Sequence, residues 1–374
     1  MASYRESLTN NATCLVNLSN SILSHYGAEV FHPVIKEFDK LFSGHKKIAL
    51  FLFDGLGRYP LEVHRESAKF ILDHEFMVID SVNPPTTAAA TNSLLTGKFP
   101  IETGWLGWAP YIEEVGAPVA LFPNRYQLSD EPVEGWNMRE SCPLITFRDL
   151  LSKAGVKVKE LYPRGIHLPG EPDDGPKSLR QMEKDSTRFF KEGGEFLYGY
   201  WTEPDECIHK NGVASKEVGR WVKKINRMVE RFVKDNPDVL VLTLADHGLV
   251  DVEYVDVAPI REISDNLIRP LSNEGRCACL YVKQGKIEEV MLALAEHFPD
   301  FIILKKEEVL EKQYFGEGLP NPKSLGMIGD IVAISTGRIL LYNSKDGGKP
   351  SFYKAHHAGG MKEEKEILVA AYNV

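Results

Sequence analysis

Five short stretches of this 374-residue chain bring an acid, an imidazole or a hydroxyl to a turn or to the end of an apolar run. They are Asp54 in Phe53-Asp54-Gly55-Leu56-Gly57, the hydroxyls of Thr86 and Thr87 after Pro84-Pro85, and Asp205 with His209 in Glu203-Pro204-Asp205-Glu206-Cys207-Ile208-His209. Asp246 and His247 precede Gly248, and His356-His357 precede Ala358-Gly359-Gly360. Asp205 and His209 are four residues apart, which on a helical turn puts carboxylate and imidazole on one face, able to share one ion. Adjacent Asp246 and His247 would diverge within a strand, but past its end, beside Gly248, both can turn inward. Imidazole combined with carboxylate suits zinc or manganese better than calcium or magnesium. The threonines differ in kind. Pro85 biases Pro84 toward extended geometry, so Thr86 or Thr87 caps the Ala-rich helix that Gly97 and Pro100 terminate. A hydroxyl there faces free N–H groups and the positive end of the helix dipole, a setting that receives phosphate. Taken singly, Thr-Thr-Ala-Ala-Ala is an ordinary cap and Asp-His-Gly an ordinary turn; five such groups at strand ends together indicate a site.

The elements that must position these groups read as an α/β chain. Lys47 to Phe53 and Val239 to Leu244 are continuous apolar runs, the pattern of strands covered on both faces, and each ends directly before a carboxylate. Glu195 to Trp201 is an aromatic strand that leads into Glu203-Pro204-Asp205, and Met77-Val78-Ile79 is a short strand that leads into the threonines. Helices are expected over Ser7 to Tyr26, 60–73, Phe147 to Ala154, and after Gly212, where Val218, Trp221, Val222, Ile225, Met228, Val229 and Phe232 form one apolar face. Open α/β sheets bind ligands at the carboxyl ends of their strands, where these acids stand. Cys277 to Val282, Glu288 to His297, Phe301 to Leu304 and Lys306 to Glu311 form a β-α-β-α unit that reads as an insertion. Gly329 to Ile334 then returns to an apolar strand, continued in hairpin fashion through Gly337-Arg338 into Ile339 to Tyr342, and Ile367 to Ala371 is the last strand.

The totals narrow the partners. With 44 basic and 53 acidic residues the formal charge is −9, and no basic stripe is present to neutralise a nucleic-acid polymer. Small phosphorylated substrates fit, because bound cations supply positive charge locally. Five irregularly spaced cysteines without a CxxC read as reduced thiols. No apolar leader and no run of 18 apolar residues occurs, so the expectation is a cytoplasmic protein without a membrane partner, in which the sequons at Asn11 and Asn17 carry no meaning.

In this order, Asp-Gly after the first strand, Pro-x-Thr-Thr leading to Leu-Thr-Gly, Glu-Pro-Asp-x-x-x-His, Asp-His-Gly and a late His-x-Gly resemble the alkaline phosphatase superfamily, in its type I phosphodiesterase/nucleotide pyrophosphatase branch. The likeness runs from about residue 46 to 371. It implies a mostly parallel central sheet flanked by helices, with an N-terminal helical segment over 1–45, a catalytic domain over 46–275 and 316–374, and an inserted α/β subdomain over 276–315. It implies two divalent cations, zinc or manganese. Carried over by position, Asp54, Thr87, Asp246 and His247 would hold one, and Asp205, His209 and His357 the other. Thr87 takes the nucleophile's place by its distance to Thr96-Gly97, with Thr86 as the alternative. His357 is preferred to His356 because it directly precedes Ala-Gly. One departure stands out: many members carry an Asn three residues after the nucleophile, and this chain has Ala90, while Asn92 would face away around the helix.

The implied reaction is in-line displacement by a threonine that passes through a phospho- or nucleotidyl-threonine. No Lys or Arg lies in the ten residues before Thr87, and Lys98 follows only after the helix. Arg58, Arg164 and Lys210 are the unplaced cations that a doubly charged monoester would call for, so diesters and pyrophosphates are favoured. Residues 98–145 form a long aromatic loop region, and Trp105, Trp108 and Tyr111 are expected to stack a nucleobase. Phosphomonoester hydrolysis or phosphoryl isomerisation in the same superfamily, and non-catalytic metal binding, are the alternatives.

Overall fold

The computed structural model describes residues 13–166, 172–347 and 352–374. Ile48–Phe53 is buried along its whole length because it lies inside a six-stranded sheet. The order is Glu75–Asp80, Glu366–Tyr372, Leu240–Leu244, Ile48–Phe53, Phe196–Trp201 and Val158–Leu161. Ile48–Phe53 pairs in parallel with both neighbours, and only Glu366–Tyr372 runs antiparallel to the strands beside it. Three adjacent parallel strands, Leu240–Leu244, Ile48–Phe53 and Phe196–Trp201, therefore end on the same edge, and Asp246, Asp54 and Asp205 follow them there.

Alternate residues feed two cores. Leu50, Leu52, Tyr198, Tyr200 and Leu242 pack with the helices Leu15–His25 and Thr87–Thr96. Ala49, Phe51, Phe53, Leu197 and Val241 pack on the other side with Leu179–Lys191 and Lys216–Asp235. In the latter helix Val218, Val222, Ile225, Met228, Val229 and Phe232 are fully buried as the apolar spacing requires. Trp221 is only partly covered and carries Lys224 over its ring. The helix expected over Ser7 to Tyr26 is observed as Leu15–His25, and its expected start, with Asn11, lies outside the described residues. Asn17 is fully buried and donates to the carbonyl of Pro33 at 2.9 Å. The single helix expected over 60–73 is two short ones, Arg58–Val63 and Lys69–Leu72.

A second sheet is antiparallel throughout, in the order Ser272–Glu274, Cys277–Leu280, Ile331–Ser335, Phe301–Lys305. Ile331–Ser335 thus belongs here and not to the central sheet, and the sheet extends on both sides of the expected 276–315 insertion. Nor does Ile339–Tyr342 fold back on Ile331–Ser335: it pairs in parallel with Glu253–Asp256. One face of this sheet, Cys277, Cys279, Val332 and Ile334, packs into the core that holds the Thr87–Thr96 helix. The other, Ala278, Leu280, Ile331 and Ala333, packs on Val290 and Leu294 of the helix Ile287–His297. All five cysteines are free and buried. Among the described residues no helix is long and apolar enough to cross a membrane.

Candidate active site

Asp54 is held at the end of its strand by its own N–H, which donates to the carbonyl of Trp201 at 2.9 Å, and its carbonyl accepts from Asp205 N–H at 3.0 Å. Gly55 follows at φ +69°, and a Cβ there would stand 2.9 Å from Asp205 Cα and 2.7 Å from Leu249 Cδ1. Only glycine lets the Asp54 and Asp205 turns approach this closely. Gly55 N–H donates to Asp246 Oδ1 at 3.1 Å, so the turn after one strand orients the acid at the end of the next.

Thr86 is the N-cap of Thr87–Thr96, and the helix closes at Gly97 in the left-handed region. The Thr86 hydroxyl does not cap the helix; it donates to Glu274 Oε1 at 2.6 Å. Thr87 is the threonine that faces the acids. Its Oγ1 lies 3.0 Å from His247 Nε2 and 3.4 Å from Asp54 Oδ1. Asn92 donates to the carbonyl of Ala88 within the helix at 2.8 Å, turned away from this group. The main-chain N–H groups of Thr87 and Ala88 have no acceptor among the described residues.

Two of the imidazoles have their tautomers set by carbonyls. His209 Nδ1 lies 2.8 Å from Ala355 O and His247 Nδ1 lies 3.2 Å from Gly248 O. A carbonyl only accepts, so Nδ1 carries the proton and Nε2 presents a lone pair. Burial lowers His209 to about 4 and lowers His247, and it holds His356 and His357 well below the usual imidazole range, so all four are neutral near pH 7. The His209 Nε2 lone pair then faces Asp205 Oδ2 at 3.4 Å, and that of His247 faces Asp54 Oδ1 and Asp246 Oδ2, each at 3.5 Å. Burial, and after it the charge of Asp246, pushes Asp54 and Asp205 well above the carboxylate range. Asp205 Oδ1, Asp246 Oδ2 and His357 Nδ1 are buried without a hydrogen-bond partner among the described residues. Acceptors converging on acceptors in a buried pocket fit divalent cations, which would satisfy the orphaned atoms.

The groups fall into three overlapping sets, each offering atoms within 4.8 Å of one another: Asp54, Asp246 and His247; Asp205, His247 and His357; and His209, His356 and His357. Thr87 lies against the first set, Asp205 faces His209 at 3.4 Å, and His247 and His357 are each shared between two sets. His356, set aside in the sequence reading, joins the third set, its ring centroid 4.7 Å from that of His209. Tyr200 was missed: its hydroxyl donates to Asp54 Oδ2. The available signal was a polar hydroxyl in an apolar strand, one residue before the strand's end at Trp201.

The aromatic expectation needs correction. Trp105 is fully buried, its Nε1–H donating to Cys142 O at 3.2 Å, so it cannot stack a ligand. The Tyr111 ring is taken up by Arg269, 4.3 Å from its centroid, and by Tyr281. Trp108 is partly exposed, and its main-chain N–H donates to Glu274 Oε1 at 2.8 Å, next to the Thr86 hydroxyl. Of the unplaced cations, Arg58 pairs with Glu62 and Lys210 with Glu206, both on exposed faces, and Arg164 is exposed. Lys98 lies over the ring of Phe31.

Residues 50–361 match the type I phosphodiesterase/nucleotide pyrophosphatase family. The chain belongs to that family, whose members are hydrolases. It is 26% identical over 155 residues to human ectonucleotide pyrophosphatase/phosphodiesterase family member 5, which covers 39% of this chain and 31% of that protein. With human family member 7 it shares 27% over 173 residues, 43% of this chain and 38% of the relative. The chain therefore spans well under half the length of these curated relatives. Among solved structures, murine ectonucleotide pyrophosphatase/phosphodiesterase 5 aligns with a TM-score of 0.63 at 18% identity, over 87% of this chain and 88% of that one. An inactive form of the murine protein has been solved in complex with AMP. Phosphonoacetate hydrolase from Sinorhizobium meliloti 1021, in complex with phosphonoformate, aligns with a TM-score of 0.65 at 18% identity, over 87% and 89% of the two chains. At these identities the likeness is one of fold, an alkaline-phosphatase-like α/β architecture.

Proposed function

We propose that the protein hydrolyses phosphodiester or pyrophosphate bonds in small phosphorylated substrates, nucleotides among them, with Thr87 as nucleophile and two divalent cations as cofactors. The observation that carries this reading is the Thr87 hydroxyl at the start of a helix, 3.0 Å from His247 Nε2 and 3.4 Å from Asp54. Asp54, Asp246, His247 and Thr87 would hold one cation, and Asp205, His209 and His357 the other, with zinc or manganese suited to the mixed donors. Bound there, the cations would lower the pKa of the threonine hydroxyl and offset charge on the attacking and leaving oxygens.

Thr87 Oγ1 forms the bond to phosphorus as the bond to the leaving oxygen breaks, giving a phospho- or nucleotidyl-threonine. Water then attacks phosphorus on the opposite face and returns the threonine hydroxyl. The N–H groups of Thr87 and Ala88, without an acceptor among the described residues, would give the transferring oxygens at the helix start the support that an amide at position 90 would give. The family relation and the relative solved with AMP support a nucleotide-like substrate. A cytoplasmic setting is part of this proposal, and the five free, buried thiols support it.

Thr87→Ala tests the reading. The variant keeps its two metal equivalents and loses at least roughly a thousandfold in turnover of a nitrophenyl nucleotide diester, the scale of removing a covalent nucleophile. Near-parental turnover would sink it. Metal content with no turnover of diester or monoester by the parent would favour the non-catalytic alternative.

A further inference from the structure

Glu274 is a carboxyl the reaction above leaves without a role. It closes the strand Ser272–Glu274 of the second sheet and is 8% exposed. Its Oε1 accepts from two donors, the hydroxyl of Thr86, next to Thr87 in the chain, at 2.6 Å and the Trp108 N–H at 2.8 Å. Its Oε2 has no partner among the described residues, yet it is not sealed from solvent as the orphaned atoms Asp205 Oδ1 and Asp246 Oδ2 are. The side chain is therefore pinned by one oxygen to the residue that caps the Thr87 helix, while the other oxygen is left unbonded.

We propose that Glu274 is a specificity-determining residue, a fixed carboxyl beside Thr87 that turns away doubly charged phosphate monoesters and lets singly charged diesters pass. This rests on the function proposed above. A phosphate monoester carries close to two charges above its second pKa near 6, whereas a diester carries one. A second negative charge brought up to an ionised carboxylate is penalised. Burial pushes Glu274 up to about 7, against the pull of its bonds from Thr86 and Trp108, and no cation is among the groups that shift it. Its charge is also felt across the site, among those that raise Asp205. Where Glu274 is protonated, Oε2 becomes a donor and the discrimination fades.

Glu274→Gln tests this, since the amide oxygen can still accept from Thr86 and Trp108 while the charge is gone. At pH 8, kcat/KM for nitrophenyl phosphate relative to a nitrophenyl nucleotide diester should rise roughly tenfold, the scale of one charge at second-neighbour distance in a protein. At pH 5.5 the variant and parent should give the same ratio. A folded variant with parental metal content and a ratio unchanged at pH 8 overturns the proposal, and so does loss of metal, which would make Glu274 part of the cation site. Should the Gln variant fail to fold, Thr86→Val serves. It removes one donor to the carboxylate, so the pH midpoint of the ratio should move upward, and an unmoved midpoint overturns the proposal. Thr87→Ala, assayed in parallel, separates the failures: turnover retained there defeats the nucleophile reading itself, whereas the Glu274 proposal fails on the ratio alone.

Discussion

Replacing Arg276 with Met should cost this protein more stability than almost any other single change away from the site. Arg276 is fully buried. Its Nε and Nη2 bond to Glu364 Oε1 and Oε2, both at 2.7 Å, and further donors reach Ser335 Oγ and the carbonyls of Gly337 and Ile339. Glu364 in turn accepts from Gly359 N–H at 2.8 Å and Met361 N–H at 3.1 Å, and its carbonyl accepts from Gly248 N–H at 2.8 Å. Met would leave a buried carboxylate facing two amides and no cation, a loss on the order of 3–5 kcal/mol. For a chain of this size that corresponds to roughly 4–6 °C in Tm. Because Gly359 and Met361 follow His357 closely, affinity for the second metal equivalent should fall as well. Thermal unfolding and a calorimetric zinc titration measure the two effects. The double variant R276M/E364Q, which removes the stranded charge, should recover about half of the lost stability. A Tm within 1 °C of the parent for R276M, or a double variant no better than the single, would refute the reasoning.

Metal removal and pH give two further tests. Cations that bind only the folded site add about 2.7 kcal/mol per site at a hundredfold excess over Kd, so zinc should raise the Tm of chelator-treated protein. An unchanged Tm would contradict the cation assignment. Glu274 is raised to about 7 in the folded chain from an ordinary 4.5, so between those values the folded state holds a proton that the unfolded state has released. Stability carried by this residue is intact below pH 4.5 and declines as pH rises toward 7, by about 3 kcal/mol at most. Denaturant unfolding of E274Q should therefore match the parent at pH 4.5 and exceed it at pH 8; equal curves at both pH values would count against a buried, ionising Glu274.

Much of the site was legible because its signals are local. A short, fully apolar run that ends in an acid and a nearby glycine reads as a covered strand closing in a turn, and Asp54 and Asp246 do follow the strands Ile48–Phe53 and Leu240–Leu244. The four-residue spacing of Asp205 and His209 reports directly on one helical turn, and they sit on the helix Asp205–Asn211 as the spacing requires. What stayed hidden depends on pairing over long separations. An apolar strand such as Ile331–Ser335 fits either sheet, and its composition does not say which. Trp105, Trp108 and Tyr111 are alike in sequence, but only packing turns Trp105 into the core and leaves Trp108 beside the helix start. Tyr200 is one aromatic among several in its strand, and its role appears only when Leu52 lies opposite. Of the two threonines Thr87 is the one whose hydroxyl faces Asp54 and His247, and what engages Thr86, Glu274, lies 188 residues away.

That distant partner points to a division of labour that composition cannot convey. Glu274 and Arg276 flank Gly275 in the tight hairpin joining Ser272–Glu274 to Cys277–Leu280. A Cβ at Gly275 would meet Leu340 Cδ2 at 2.6 Å, so the hairpin is pressed against the neighbouring strand and has little freedom to shift. From this one rigid point the acid reaches the head of the Thr87 helix, and the base reaches Glu364 and through it the His357 loop. Ala358, at φ +79°, adds a direct tie, its N–H donating to Pro85 O at 3.0 Å just before the threonines. The second sheet thus holds Thr87 and the late histidine in one frame, although both attach to the central sheet through separate loops. A perturbation confined to the hairpin, such as Gly275→Ala, should consequently disturb both halves of the site together. If metal affinity fell while the Thr87 environment kept its diester turnover at saturating metal, the two halves would be independent and the hairpin merely a cover.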